Sequence, residues 1–310
     1  DLIMPVTISS VYGTDCMYRN LGEVSNKGIE FGAQLALIQN RDFKWYVGGT
    51  ISTNKNEVKS LGGENSMILS MSDGSAVISE VGQPLYSFYG YQTDGVFATD
   101  DAVVAAGKDG QALTNAIGVA FAAGDMRFVD QNGDGKIDKE DRVNLGNALP
   151  DFYGTFYTNF QYKGLAVSAV FGYSKGNKMY NAVRRTMESM SDFSNQLTSV
   201  TRRWMYEGQI TDIPRAVYGD PMENSRFSDR WIEDASYLKL KELMVSYKFN
   251  LFAGTTVFIA AENLFTATKY LGMDPETMYS YDSSMRGFDY GKIACLLYTS
   301  PSPRDAHESR

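Results

Sequence analysis

The chain has few of the residues that hold metals, build catalytic triads or staple small domains. Its 310 residues include one His and two Cys. A zinc site built on paired histidines is excluded, and a His-dependent nucleophilic triad would hang on His307 alone. Two Cys make neither a disulfide framework nor a four-cysteine metal site. There is no Gly-rich phosphate loop and no nucleophile elbow, so enzymatic chemistry has little to stand on and the chain reads as a non-enzyme. Basic residues are in the minority, 29 Lys+Arg against 37 Asp+Glu for a net charge of −8. Without a basic run to neutralise phosphates, nucleic acid is an unsuitable partner. No segment reaches the roughly 18 consecutive apolar residues of a membrane-spanning helix. The opening DLIMPVTISS lacks a charged start and apolar core, so no signal peptide is read there and the chain is expected to begin mid-strand.

What the chain has is aromatic residues, 13% of the total, with 29 Gly and only 8 Pro. That balance suits extended, half-buried strands. The dominant pattern is alternation with period two. Ile29, Phe31, Ala33, Leu35 and Leu37 form one apolar face; Phe43, Trp45, Val47, Gly49 and Ile51 form another. The pattern returns in Phe152–Tyr162, in Leu165–Tyr173 after a Lys163-Gly164 turn, and in Leu238–Phe249. Successive strand side chains point to opposite faces, so each run has one apolar and one polar or small face. In Leu238–Phe249 the apolar parity shifts across Lys241-Glu242, which predicts a bulge. Lys239, Lys241 and Glu242 then read as a polar inner face.

The runs are about 9 to 12 residues long, close to the ~9–11 of a tilted strand crossing a bilayer. Aromatics gather near their ends (Trp45, Tyr46, Phe152, Tyr153, Tyr173, Trp231, Tyr237, Tyr247, Phe249), as in the girdles of membrane barrels. Short turns at Asn40-Arg41-Asp42, Lys163-Gly164 and Leu251 to Gly254 contrast with long connections at 60–83, 99–126, 176–229 and 270–287. Such asymmetry is that of outer-membrane barrels. A weak helical period over Met187–Tyr206 predicts a helix within its loop. The expected fold is all-β: an antiparallel transmembrane β-barrel, incomplete here. A secreted β-rich glycan-binding domain with a calcium-stabilised loop is the alternative.

One local motif carries chemistry. Asp130, Asn132, Asp134, the Lys136 carbonyl, Asp138 and Asp141 occupy the ligand positions of an EF-type calcium loop, with Gly135 at the sharp turn and Ile137 at the tucked apolar position. Asp141 replaces the usual bidentate Glu, which should weaken affinity, and flanking helices are not evident. An acidic turn serving geometry alone would use the same residue types. Trp204, Tyr206 and Trp231, with Tyr218 nearby, could stack sugar rings, though packing is the more economical reading.

Six ordered blocks carry a family resemblance: NLGEVSNKGIEFG (20–32), GQPLYSFYGYQTDGVF (82–97), GDMRFVDQNGDGKIDKEDRVNLGNALPDFYGTF (124–156), SDRWIEDASYLKLKELMVSY (228–247), AENLFTATKYLGMDPE (261–276) and RGFDYG (286–291). Residues 1–294 resemble the C-terminal barrel portion of SusC/RagA-type TonB-linked outer-membrane proteins. The resemblance implies a roughly 22-stranded barrel in the cell outer membrane, with lipid around it. It also implies import of oligosaccharides or peptides, glycan-derived oligomers foremost. The implied partners are a SusD-like surface lipoprotein and the TonB complex, the latter engaged through an N-terminal region absent here. The block containing Asp130–Asp141 would lie in an extracellular loop. Residues 295–310, CLLYTSPSPRDAHESR, resemble a translated sequencing adapter and are expected to be a non-native tail, so Cys295 and His307 carry no functional expectation.

Overall fold

A computed structural model describes residues 2–7, 11, 13, 16–249, 254–280, 282–292 and 297–299. Eight strands form one antiparallel sheet in chain order: β1 (Leu2–Thr7), β2 (Cys16–Gln39), β3 (Phe43–Leu61), β4 (Phe152–Tyr162), β5 (Leu165–Lys175), β6 (Tyr237–Lys248), β7 (Thr256–Thr268) and β8 (Leu297–Thr299). Each strand pairs with its neighbours in sequence, so the sheet is a meander and its outer strands do not pair with each other. It is a wall, not a closed barrel. No helix among the described residues is long and apolar enough to cross a membrane, a test that says nothing of strands.

Register puts the alternating side chains into two continuous faces. Phe31 pairs with Ile51, Ile51 with Gly154, Phe156 with Phe171, Phe171 with Leu240, and Val245 with Ile259. Directly paired residues share a face, so these side chains make one apolar band across the wall. The band is left open: Ile29 is 75% and Ile259 66% exposed. Phe156 and Phe171 stack face to face, centroids 4.4 Å apart. The other face carries Glu30, Gln34, Thr50, Thr155, Asn159 and Met244. There the Thr50 and Thr155 hydroxyls meet at 3.0 Å. The parity shift appears where the sequence places it, since the register of β6 slips between Leu240 and Glu242 against both neighbours and leaves Lys241 unpaired.

The strands β2 and β3 run 24 and 19 residues, twice the expected length. The excess, residues 16–28 and 54–61, carries no apolar stripe, which is why periodicity misses it. It rises beyond the apolar band at the end of the wall where the long connections emerge.

Those connections fold into a second body with its own cores. The 62–151 connection supplies a four-stranded sheet, ordered Arg142–Gly146, Ser87–Tyr91, Ala76–Glu80, Ser66–Ser70. Lys178–Asn181 pairs with Ile232–Asp234 and with Phe288–Asp289, joining two later connections. Val77, Phe88, Leu145, Tyr180, Phe227, Trp231 and Phe288 bury against one another. A second cluster, including Phe97, Val103, Phe121, Phe128 and Ile137, packs below helix α1 (Asp100–Ala106). Helix α2 is Ala182–Glu188, so the helix expected over Met187–Tyr206 starts earlier and ends almost where it was expected to begin. The Asn181 side chain accepts from the Arg184 amide and fixes that start; the later part of the segment makes only a 3-10 turn at Thr198–Arg202.

Three residues of the expected adapter-like tail, Leu297–Thr299, pair with β7. A sheet edge with unpaired N–H and C=O groups accepts an extended segment of almost any sequence. Cys295, His307, Leu251 and Ala294 lie outside the described residues.

Candidate functional site

The inner face of the wall is roofed by the 269–292 connection. Lys239, on β6, is 4% exposed, and its Nζ reaches Asp274 Oδ2 at 3.0 Å and Glu276 Oε2 at 2.8 Å. Lys241 Nζ also donates to Glu276, and the Tyr237 hydroxyl donates to it at 2.6 Å. Burial opposes ionisation of Glu276, but these hydrogen bonds outweigh it and hold the carboxyl below its ordinary value. Sequence reading put Lys239, Lys241 and Glu242 together; the actual partners of the two lysines come from the distant 274–276 turn.

This tie encloses a hollow of about 480 Å³ lined by Tyr153, Thr155, Ser174, Tyr237, Lys241 and Arg286, among others. A second hollow of about 280 Å³ adjoins it, with Asn54, Ala148, Leu149 and Arg286 common to both. In the second, Asn56 donates to Asn26 at 2.8 Å and accepts from the Leu85 amide at 2.8 Å. Together the two make a groove of mixed polar and apolar lining between the wall and the loop body.

A larger hollow of about 610 Å³ lies among the loops, beside α2. At its wall Asp73 accepts from the Tyr180 and Tyr290 hydroxyls at 3.1 and 3.0 Å, and Arg185 donates to Tyr180 at 2.9 Å. Burial pushes the Tyr290 hydroxyl up to about 12. The polar groups here satisfy one another.

The Asp130–Asp141 loop folds on itself. Asp130 accepts from the Gly133 and Gly135 amides at 2.7 and 2.8 Å, Asn132 from Asp134, Asp134 from Lys136, and Asp138 from Glu140. Asp141 is fully buried and accepts from Gln131 and Asp138. Burial raises its carboxyl above the usual value. Ile137 is buried in the core under α1, which anchors the loop. Among the described residues no three His, Cys, Asp or Glu side chains converge as a metal site. The carboxylates turn to backbone amides, as an acidic turn requires.

The aromatic candidates separate. Trp231 is fully buried, its Nε1 donating to the Arg226 carbonyl at 3.1 Å, with the Arg230 guanidinium 4.5 Å from its ring. It belongs neither to a girdle nor to a sugar platform; it is the centre of the loop core. Trp204 lies over Gly124, and its buried Nε1 lacks a partner among the described residues. Tyr206 is exposed, as is Tyr218, whose ring meets that of Phe193 at 5.5 Å. The three candidates do not form one surface. Arg286 and Asn54 were missed altogether; the RGFDYG block was the only signal near either.

Comparison with known proteins gives the arrangement a context. No protein-family model matches the chain. TonB-dependent receptor P3 of Formosa agariphila is 29% identical over 310 aligned residues, covering 94% of this chain and 29% of that protein. TonB-dependent receptor SusC of Bacteroides thetaiotaomicron is 26% identical, covering 86% of this chain and 26% of that protein. The homologues are TonB-dependent receptors. The chain spans under a third of the length of these receptors. The solved RagAB peptide transporter superposes with a TM-score of 0.73 at 23% identity, over 95% of this chain and 31% of that one. That likeness shows the fold alone: this chain's described sheet is arranged as a stretch of barrel wall with its loops. Its homologues are receptors and transporters, not enzymes.

Proposed function

We propose that this chain is the C-terminal wall of an outer-membrane importer that takes up oligomeric nutrients, chiefly glycan-derived oligosaccharides, with energy from the TonB complex. The observation that carries the reading is the pair of opposed faces. One apolar band runs unbroken across β2 to β7, while the reverse face is polar and holds a groove under a salt-bridged roof. A bilayer outside and an aqueous lumen inside account for both. The apolar face is too extensive to leave in water on a monomeric secreted domain, which disfavours the soluble glycan-binding alternative.

In this reading the wall strands supply a rigid frame and the loop body forms the outer mouth. A SusD-like surface lipoprotein would cover that mouth. Substrate captured there would pass along the polar face once a plug moves. The likeness to a peptide transporter keeps peptide oligomers as cargo beside sugars, and the free amide and phenol groups in the groove favour sugars. The direct test is uptake of labelled oligosaccharides by cells carrying the complete gene, with and without TonB. TonB-dependent uptake from an outer-membrane-localised receptor is expected; the full-length protein in the soluble extracellular fraction would refute the reading.

For Asp130–Asp141 we propose a calcium loop of low affinity, supported by ligand-type residues at positions 1, 3, 5, 7, 9 and 12 and by the buried Ile137. Titration of the complete receptor with millimolar calcium should release heat that Asp130→Ala removes. Absence of heat in the unsubstituted protein would leave the segment an acidic turn.

A further inference from the structure

We infer that the groove on the inner face is a binding site for an acidic oligosaccharide, with the Arg286 guanidinium as the group that takes a sugar carboxylate. The inference rests on the import reading above and names its substrate class.

Arg286 is the one residue with a formal charge that lines both hollows. Its side chain makes no hydrogen bond or ion pair among the described residues. The other charges lining the groove are already spent, because Lys241 is paired with Glu276. One free positive charge therefore faces the groove with no free negative charge opposing it. Arg286 is exposed at the groove, so its guanidinium is open to a carboxylate that arrives from solvent. The planar fork of a guanidinium matches a carboxylate through two parallel hydrogen bonds.

The backbone holds this arginine in place. Arg286 ends a 3-10 turn at Ser283–Met285 that is capped by the Asp282 side chain at the Ser284 amide, 2.9 Å. Gly287 follows at φ +76°, and a Cβ there would lie 2.5 Å from Ala148 Cβ. The Gly287 carbonyl accepts from the Tyr180 amide at 2.7 Å, and Phe288 is fully buried in the loop core. The guanidinium thus projects from a segment fixed on both sides. Little backbone ordering remains to oppose binding.

The neighbouring free groups specify a sugar. The Asn54 carboxamide and the Tyr153 hydroxyl also lack a side-chain partner among the described residues, and both line the larger hollow. A carboxamide can donate and accept at once, as a sugar hydroxyl does. A phenol ring adds an apolar face with a polar tip. Between these groups Ala148, Leu149, Pro150 and Pro275 line the hollow, an apolar surface that suits the face of a sugar ring beside a few placed polar groups.

The test uses the complete receptor, purified in detergent, with tetragalacturonate as probe and its fully methyl-esterified form as the neutral control. Calorimetry should show the acid binding at least tenfold more tightly than the ester, with the gap narrowing as salt rises. Arg286→Gln should remove that gap and leave ester binding unchanged; Arg286→Lys should keep part of it, since charge without the fork is only half of the contact. Asn54→Ala should weaken both ligands alike. Equal binding of acid and ester, or no binding of the acid by the unsubstituted receptor, would overturn the inference. So would loss of binding to both ligands in Arg286→Gln, or tetraglutamate binding in place of the uronate. TonB-dependent uptake of a neutral oligosaccharide, measured on the same Arg286→Gln cells, separates the two levels: uptake that survives leaves the import reading intact whatever becomes of the carboxylate site.

Discussion

Replacing Trp231 with Ala should open the loop body and leave the wall strands paired. The indole is fully buried among Phe88, Tyr180, Phe227 and Phe288. Truncating a buried Trp to Ala costs about 3–5 kcal/mol. Loss of the Nε1 bond to the Arg226 carbonyl adds about 1 kcal/mol. Arg184 and Arg230 lose the ring they flank, at 5.5 and 4.5 Å. Their pairs with Glu188 and Glu233 remain, so no charge is orphaned and the loss stays near 4–5 kcal/mol. At about 1.4 kcal/mol per decade, opening becomes roughly a thousandfold easier. Hydrogen exchange on the complete receptor reads this directly. The Tyr180 amide, bonded to the Gly287 carbonyl, and the Tyr91 amide, bonded to the Phe227 carbonyl, should exchange by that factor faster. Amides in β4 and β5 should be unchanged. Acceleration below tenfold at Tyr180, or equal acceleration in the wall, would refute Trp231 as the centre of an independent loop core.

Four other outcomes follow from the same geometry. Lys239→Met leaves Asp274 and Glu276 without their main cation, and removing one partner of a buried pair costs about 3–5 kcal/mol; the low end is expected because Lys241 remains on Glu276, and limited proteolysis should cut 270–287 first. Glu188 and Glu276 both sit below their ordinary carboxylate values, Glu188 through the Ser199 hydroxyl and two arginines that overcome its burial. Their contribution is therefore full above the unfolded value of about 4.3 and is lost as pH falls below it. Exchange protection in 270–287 should hold from pH 7 to 5 and collapse toward pH 3. Val245→Arg, on the apolar band, should lower barrel stability in lipid by about 2–4 kcal/mol, whereas Ser246→Arg on the polar face should cost under about 1 kcal/mol, read from urea midpoints in vesicles. Gly287→Ala forces a Cβ against Ala148 at a positive φ, so it should destabilise the segment by about 1–3 kcal/mol and reduce acid-oligosaccharide binding as Arg286→Gln does.

The wall was legible in the sequence because a period of two is enforced by two different solvents, one on each face. Ile29 to Leu37, Phe152 to Tyr162 and Leu243 to Phe249 show it without help, and the parity slip at Lys241 even located the bulge. Along residues 54–61 lipid no longer enforces the period: Val58 and Leu61 bury at uneven spacing against Met67 and Leu85 of the loop body, and the strands outrun their signal. The loop core was illegible for a related reason. Its apolar residues come from separated segments, Val77, Phe88, Tyr180, Phe227 and Phe288, each too short to show a period. For Trp231 the sequence offers a girdle, a sugar platform or, more economically, packing; long-range packing is what buries it, and its partners have no local signal. Arg286 opens the RGFDYG block, but nothing in that block says whether its charge is paired. Only the fold, by sending Asp274 and Glu276 to the lysines, shows which cations are satisfied and which one is not.

The opposed faces are tested most directly by spin labels on neighbouring residues of the complete receptor in lipid bilayers. Labels at Val167, Val245 and Ile259 should relax with oxygen, which dissolves in lipid, and be shielded from a water-soluble nickel chelate. Labels at Ser168, Met244 and Ser246, one residue along, should show the reverse. A wall with the chelate reaching both sets equally would contradict a lipid-facing band, and with it a barrel importer.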